Sequence, residues 1–259
     1  MGGEDADDSP MGEAAPQAEG APVDAPDPNG WTALMSASAN GHEACVKLLL
    51  EAKATVDQAD NDGFTPLIIA AQDGAVDMVA TLAAAPETDI LRSVAYDGGA
   101  GGQRYRRDTE TGCLPEGTTP LMVASRNRHL ETVRLMISTG KVDIDAMRRT
   151  GETAVFIAAR QGHYDLVQLL GNSGADLDIP AAEGWTATMV AARNGFFQTV
   201  QVLARLGADL NRTRPSGASA VWVAAQNKHY EVLQILGDCG ADMDILARGV
   251  IEGKRSENS

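Results

Sequence analysis

Six glycines, Gly30, Gly63, Gly117, Gly151, Gly184 and Gly217, open the same short run and stand 33, 54, 34, 33 and 33 residues apart. A fixed period of this size marks one supersecondary unit copied in tandem, each copy burying its apolar side against the next. Such a chain builds an elongated stack rather than layers around one central core, and that excludes most fold classes before any single element is assigned.

With the glycine as position zero, the runs read Gly-Trp-Thr-Ala-Leu-Met, Gly-Phe-Thr-Pro-Leu-Ile, Gly-Thr-Thr-Pro-Leu-Met, Gly-Glu-Thr-Ala-Val-Phe, Gly-Trp-Thr-Ala-Thr-Met and Gly-Ala-Ser-Ala-Val-Trp. The hydroxyl at position two (Thr32, Thr65, Thr119, Thr153, Thr186, Ser219) can accept from the free N–H groups of a helix start. Pro66 and Pro120 follow it at the first helical position, where a missing N–H is harmless. Alanine or serine at positions seven and eight (Ala70-Ala71, Ala158-Ala159 and their equivalents) lets adjacent helices approach closely. Apolar residues then recur at positions sixteen and nineteen, from Val46/Leu49 to Leu233/Leu236, the i, i+3 spacing of a second amphipathic helix. Gly140, Gly174, Gly207 and Gly240 suit the left-handed residue that ends it. Lys53 and Pro86 stand there in the first two copies, so looser stops are expected.

Helix, turn, helix and hairpin at this spacing resemble the ankyrin repeat family, whose pattern is Gly-x-Thr-Pro-Leu-His, Ala-Ala, Gly-His and Gly-Ala-Asp-Val-Asn. The resemblance covers residues 30–247 and implies an all-α repeat solenoid of six ankyrin repeats (helix-turn-helix plus β-hairpin or loop), with a hairpin insertion after the second. One departure is consistent. The family's histidine at position five is replaced by Met35, Ile68, Met122, Phe156, Met189 and Trp222, so apolar packing between repeats is expected in place of its hydrogen bond.

The chain carries 36 acidic and 21 basic residues, a net charge of -15. Eight of the acids and none of the bases fall in residues 1–29, beside Pro10, Pro16, Pro22, Pro26 and Pro28. This segment holds too little apolar surface to fold and is expected to be a disordered acidic tail, while residues 248–259 form a C-terminal tail. The remainder is still acidic, which argues against a nucleic-acid partner. No run approaches the roughly 20 apolar residues of a membrane span, and no secretory or myristoylation signal is readable. A cytoplasmic location, with nuclear or cytoskeletal sites as variants of it, and a monomeric state follow as expectations.

The long interval places about 21 extra residues in the hairpin after the second repeat, in an insertion of about 91–112. A flexible loop is one reading, since hairpin tips tolerate insertions. The other is regulatory: Arg106-Arg107-Asp108-Thr109 resembles a basophilic kinase site, making Thr109 a candidate phosphosite. Cys45, Cys113 and Cys239 are odd in number and far apart, as reduced thiols are. Cys45 falls on a second helix and is assigned to the core.

All four histidines, His42, His129, His163 and His229, occupy position twelve. Successive copies lie roughly 8–10 Å apart by helix packing distances, too far to share a metal, so they read as structural turn residues. Cys113 with His129 is conceivable as a nucleophile and base, but no orienting group or oxyanion site is readable. No catalytic residue, cofactor or metal ligand is assigned.

In ankyrin proteins the partner usually lies against the hairpin tips and first helices, so the resemblance points to the positions just before the glycine and to positions one, nine and ten as a concave binding surface. Position nine holds Gln72, Arg126, Arg160 and Arg193. Position ten holds Asn127 and Asn194. Position one adds Trp31, Phe64 and Trp185, with Arg149 on a neighbouring hairpin. Arginine forks bind carboxylates and stack on rings, and exposed tryptophans mark interface hot spots, so an extended acidic segment of another protein fits this row. The alternative is a solvated charged face. Function is accordingly read as a non-catalytic scaffold or adaptor, with a stoichiometric regulatory subunit or inhibitor, or more remotely a thiol-dependent enzyme, as the alternatives.

Overall fold

Each first helix begins where the hydroxyl at position two directs. In the computed structural model, which describes residues 22–86, 88–90, 93–94 and 114–244, Thr32, Thr65, Thr119, Thr153, Thr186 and Ser219 each accept from the backbone N–H three residues on. The α-helices among the described residues are α1 (Ala33–Ala39), α2 (Glu43–Glu51), α3 (Pro66–Asp73), α4 (Val76–Ala84), α5 (Pro120–Arg126), α6 (Leu130–Ser138), α7 (Ala154–Gln161), α8 (Tyr164–Asn172), α9 (Ala187–Arg193), α10 (Phe197–Arg205), α11 (Ala220–Gln226) and α12 (Tyr230–Asp238). Odd-numbered helices pack in one row and even-numbered helices in a second, each pair antiparallel across a short turn.

The core runs along the stack because the small pairs at positions seven and eight are buried in the middle repeats, as at Ala70, Ala71, Ala158, Ala159, Ala191 and Ala192. Position five follows the expected apolar packing: Met35, Ile68, Met122, Phe156 and Met189 are buried. Trp222 is half-buried, since no seventh helix pair is described beyond α11. Helices this short are marginal alone in water, so the stacking is what holds them.

The connections are tight turns rather than strands. Among the described residues the one β feature is an isolated antiparallel bridge between Thr213 and Ser219. The expected hairpins therefore survive as turns joined tip to tip: Asn61 N–H donates to the Asn29 carbonyl at 3.0 Å, Arg149 N–H to Glu116 at 3.0 Å and Ala182 N–H to Thr150 at 2.9 Å. On the far side of each turn, a side-chain carbonyl or carboxylate oxygen takes a backbone N–H from the next repeat. Asp145 accepts from Asp176 N–H at 2.9 Å, and Asn211 accepts from Asp242 N–H at 2.8 Å.

The same device extends ahead of α1, where Asp24 accepts from both the N–H and the hydroxyl of Thr55, at 2.8 and 2.6 Å. Residues 22–29 thus form the turn that precedes the first repeat. The ends of the insertion are also tied. Val94 N–H donates to Thr118 at 2.9 Å and Gly117 N–H to Val94 at 2.9 Å, so the extra length leaves the repeat register intact. Thr109 and Cys113 lie outside the described residues, as do residues 1–21 and 245–259.

Two expectations are corrected. Lys53 adopts the left-handed conformation of the missing glycine, φ 68°, so the stop of α2 is as sharp as the others despite the side chain. Cys45 is exposed rather than in the core. It stands at position fifteen, where Met78, Thr132, Leu166, Thr199 and Val232 are all buried. Those five lie on helices that have an earlier helix pair beside them, whereas α2 is the first of its row.

Candidate functional site

The ends of the odd-numbered helices and the turn tips line one face, and the repeat determines which groups there are already bonded. Position-nine carbonyls serve as acceptors for the following repeat. Gln72 O takes His129 Nε2 at 2.8 Å and Asn127 Nδ2 at 2.9 Å, Arg126 O takes His163 Nε2 at 3.0 Å, and Arg193 O takes His229 Nε2 at 2.9 Å. Asn194 Nδ2 donates to Arg160 O at 3.0 Å. His129, His163 and His229 tie one repeat to the next, as a structural turn residue at position twelve would, whereas His42, in the first repeat, is exposed. Asn127 and Asn194 reach the face with one amide N–H already committed to the neighbouring repeat.

The three arginines at position nine do not share one environment. Arg160 pairs with the buried Glu152 at 2.5 Å, and Arg148 pairs with the same carboxylate, which also accepts from Thr150 at 2.6 Å. Burial pushes the Arg160 guanidinium below its ordinary value, Glu152 opposes that, and the positive charges of Arg148 and Arg126 push further down. An arginine starts so high that it stays charged at ordinary pH. Arg160 is therefore a partner for Glu152 rather than a rung open to solvent.

Position one is equally uneven. Phe64 is buried with Met35, Ile68, Ile69, Val94 and Leu114, because the tied ends of the insertion cover it. It does not reach the surface, contrary to the expectation from its position in the repeat. Trp31 is half-buried and packs against that cluster. Arg149 is exposed and pairs with Glu116 across two turn tips at 3.2 Å.

Trp185 lies at the other end of the face with a cation stacked on it twice: the Arg214 guanidinium carbon is 4.2 Å from a ring centroid and that of Arg193 is 5.3 Å away. Arg214 is fixed further by Glu183, whose carboxylate it meets at 2.6 Å and whose carbonyl oxygen accepts from Nε at 3.1 Å. These residues, with Trp222, Gln226 and Asn227, line an open groove of about 480 Å³ between the fifth and sixth repeats. Arg214 and Trp222 were missed as site residues. Arg214 lies outside the position rule, three residues before its glycine, although Trp222 was visible as the largest departure at position five.

A second exposed row follows position thirteen, with Val76, Tyr164, Phe197 and Tyr230 at the starts of the even-numbered helices. Among the described residues no group of three histidine, cysteine or acidic side chains could hold a metal ion, and no helix is long and apolar enough to cross a membrane.

The family model for ankyrin repeats (3 copies) matches residues 13–93, 103–181 and 174–247. The curated relatives include the ankyrin repeat and KH domain-containing protein mask-1 of Caenorhabditis elegans, 30% identical over 148 residues, which are 57% of this chain and 5% of that protein. A probable E3 ubiquitin-protein ligase of Oryza sativa, XBOS33, is 32% identical over 61% of this chain and 28% of its own length. This chain thus spans a small part of those relatives. Among solved structures, the ankyrin repeat domain of human ASB11 superposes with a TM-score of 0.68 at 25% identity, covering 87% of this chain and 90% of that one. An ankyrin repeat domain from Acinetobacter baumannii shares the fold with a TM-score of 0.65 at 24% identity, covering 81% and 98%. Ankyrin repeats in general mediate protein–protein interaction and are typically non-catalytic. With the repeat-by-repeat caps, the carbonyl ladder and a family match across most of its length, this chain belongs to the ankyrin repeat family.

Proposed function

We propose that this protein is a non-catalytic scaffold or adaptor that binds another protein through the concave face formed by the odd-numbered helices and turn tips. The observation that carries the reading is the groove of Trp185, Arg193, Arg214 and Trp222. Aromatic and arginine side chains concentrated in one recess are the composition of an interface hot spot. Arg126, half-buried in the middle of the same face, extends the positive strip toward the second repeat. A protein segment with acidic character complements this strip within an otherwise acidic chain.

The test is affinity capture from lysate with the whole chain. Charge reversal at Arg126 and Arg193 together should abolish capture of at least one protein while the helical circular dichroism of the folded chain is retained. Capture that is indifferent to both reversals overturns the reading.

A further inference from the structure

The groove between the fifth and sixth repeats holds two arginines on one indole, and they are not equivalent. Arg214 is largely buried, its side chain 16% exposed, and Glu183 neutralises it. It acts as a clamp that fixes the Trp185 ring. Arg193 is exposed, and its guanidinium makes no hydrogen bond or ion pair among the described residues. A guanidinium stacked on a ring keeps its planar fork of N–H donors directed outward. That fork matches a carboxylate, with two parallel N–H···O bonds.

Opposite it stands Trp222, which occupies the position that buried methionine, isoleucine or phenylalanine fills in the other repeats. Half-buried, it presents indole surface to the groove, and Gln226 and Asn227 add amides at the rim. A recess of about 480 Å³ lies in the range of sites that take a small molecule or one to two residues of a chain.

Resting on the concave-face reading above, we infer that this groove is a carboxylate site for an extended peptide. The Arg193 fork takes the carboxylate, and the cleft between Trp185 and Trp222 seats the apolar side chain next to it. The carboxylate comes either from an Asp or Glu side chain or from a chain terminus, since both offer the same pair of oxygens. Arg126 and Arg160 are not part of this contact.

The test uses the full chain labelled with nitrogen-15. Its three tryptophans, Trp31, Trp185 and Trp222, give three indole N–H signals assignable by single Trp→Phe variants. The probes are acetyl-Gly-Phe-Asp-Gly-amide, its Asn counterpart, and acetyl-Gly-Gly-Phe with a free carboxylate. The Trp185 and Trp222 signals should shift on titration with a carboxylate peptide while Trp31 stays still. Replacing Asp by Asn, or the variant Arg193→Gln, should weaken binding by about tenfold or more, the effect of losing a charged hydrogen bond. Whichever of the Asp and free-acid peptides binds more tightly identifies the source of the carboxylate. Absence of a shift with both, or equal affinity for the Asn peptide, overturns the inference. Protein capture that remains sensitive to the Arg126 and Arg193 reversals in that case leaves the broader reading standing, and capture insensitive to them removes both.

Discussion

Arg160 lies 2.5 Å from Glu152, a residue that takes the place occupied by tryptophan in the first and fifth repeats. The pair splits the arginine row: Arg160 and Arg148 close on one buried carboxylate, while Arg193 remains available on Trp185. A buried carboxylate between two cations is costly to disturb from one side, because the partners are left uncompensated. Glu152→Gln should destabilise the protein by about 2 kcal/mol, discounted for the partial exposure of Arg160. Breaking the exposed Arg149 to Glu116 pair with Arg149→Gln should change stability by no more than about 0.5 kcal/mol. Urea unfolding of the two variants measures the contrast, and equal effects would refute it.

Two glycines at position eleven separate backbone strain from crowding. Gly41 and Gly162 share a left-handed backbone, φ 71° and 76°, but a Cβ at Gly41 meets nothing within 4 Å, whereas one at Gly162 lies 2.9 Å from the Phe196 ring. Gly41→Ala should cost about 1 kcal/mol, the backbone penalty alone. Gly162→Ala should cost about 2–4 kcal/mol, because Phe196 must also move. Thermal unfolding of both variants reads the difference.

Thr132 and Thr199 are buried at position fifteen, and their hydroxyl oxygens have no hydrogen-bond partner among the described residues. A buried hydroxyl left unpaired is a liability that an isosteric methyl removes. Thr199→Val should raise stability by about 1 kcal/mol, read as a higher urea midpoint with an unchanged slope. A lower midpoint would mean that the hydroxyl is satisfied in solution.

Cys45 occupies the same register as Thr199, yet it is exposed. Native-state labelling with a thiol reagent, followed by peptide mapping, should modify Cys45 at the rate of a free thiol. A cysteine introduced as Thr199→Cys should label only as the protein unfolds. Equal rates at the two sites would show that the stack does not protect position fifteen.

The regular parts of the molecule were legible in the sequence because they depend on local chemistry repeated at a fixed spacing. A hydroxyl three residues before an N–H caps a helix wherever it occurs, so Thr32 through Ser219 could be placed without knowing their neighbours, as could the stops at Gly140, Gly174, Gly207 and Gly240. The shared position of the histidines was likewise legible, although the acceptors of His129, His163 and His229, the position-nine carbonyls of the preceding repeat, are across-repeat contacts.

The environment of each surface residue was a different matter, because residues at the same position meet different neighbours. Phe64 and Trp185 share position one, but the insertion ends bury the first while Arg214 and Arg193 stack on the second. Arg160 and Arg193 share position nine, but only the first has Glu152 within reach. The sequence by itself determined the unit, its number of residues and its order along the chain, since those follow from short-range bonding. Only the tertiary structure decided which arginines are open and where a groove forms, since these depend on which side chains meet in space, whether Glu152 eight residues before Arg160 or Glu183 31 residues before Arg214.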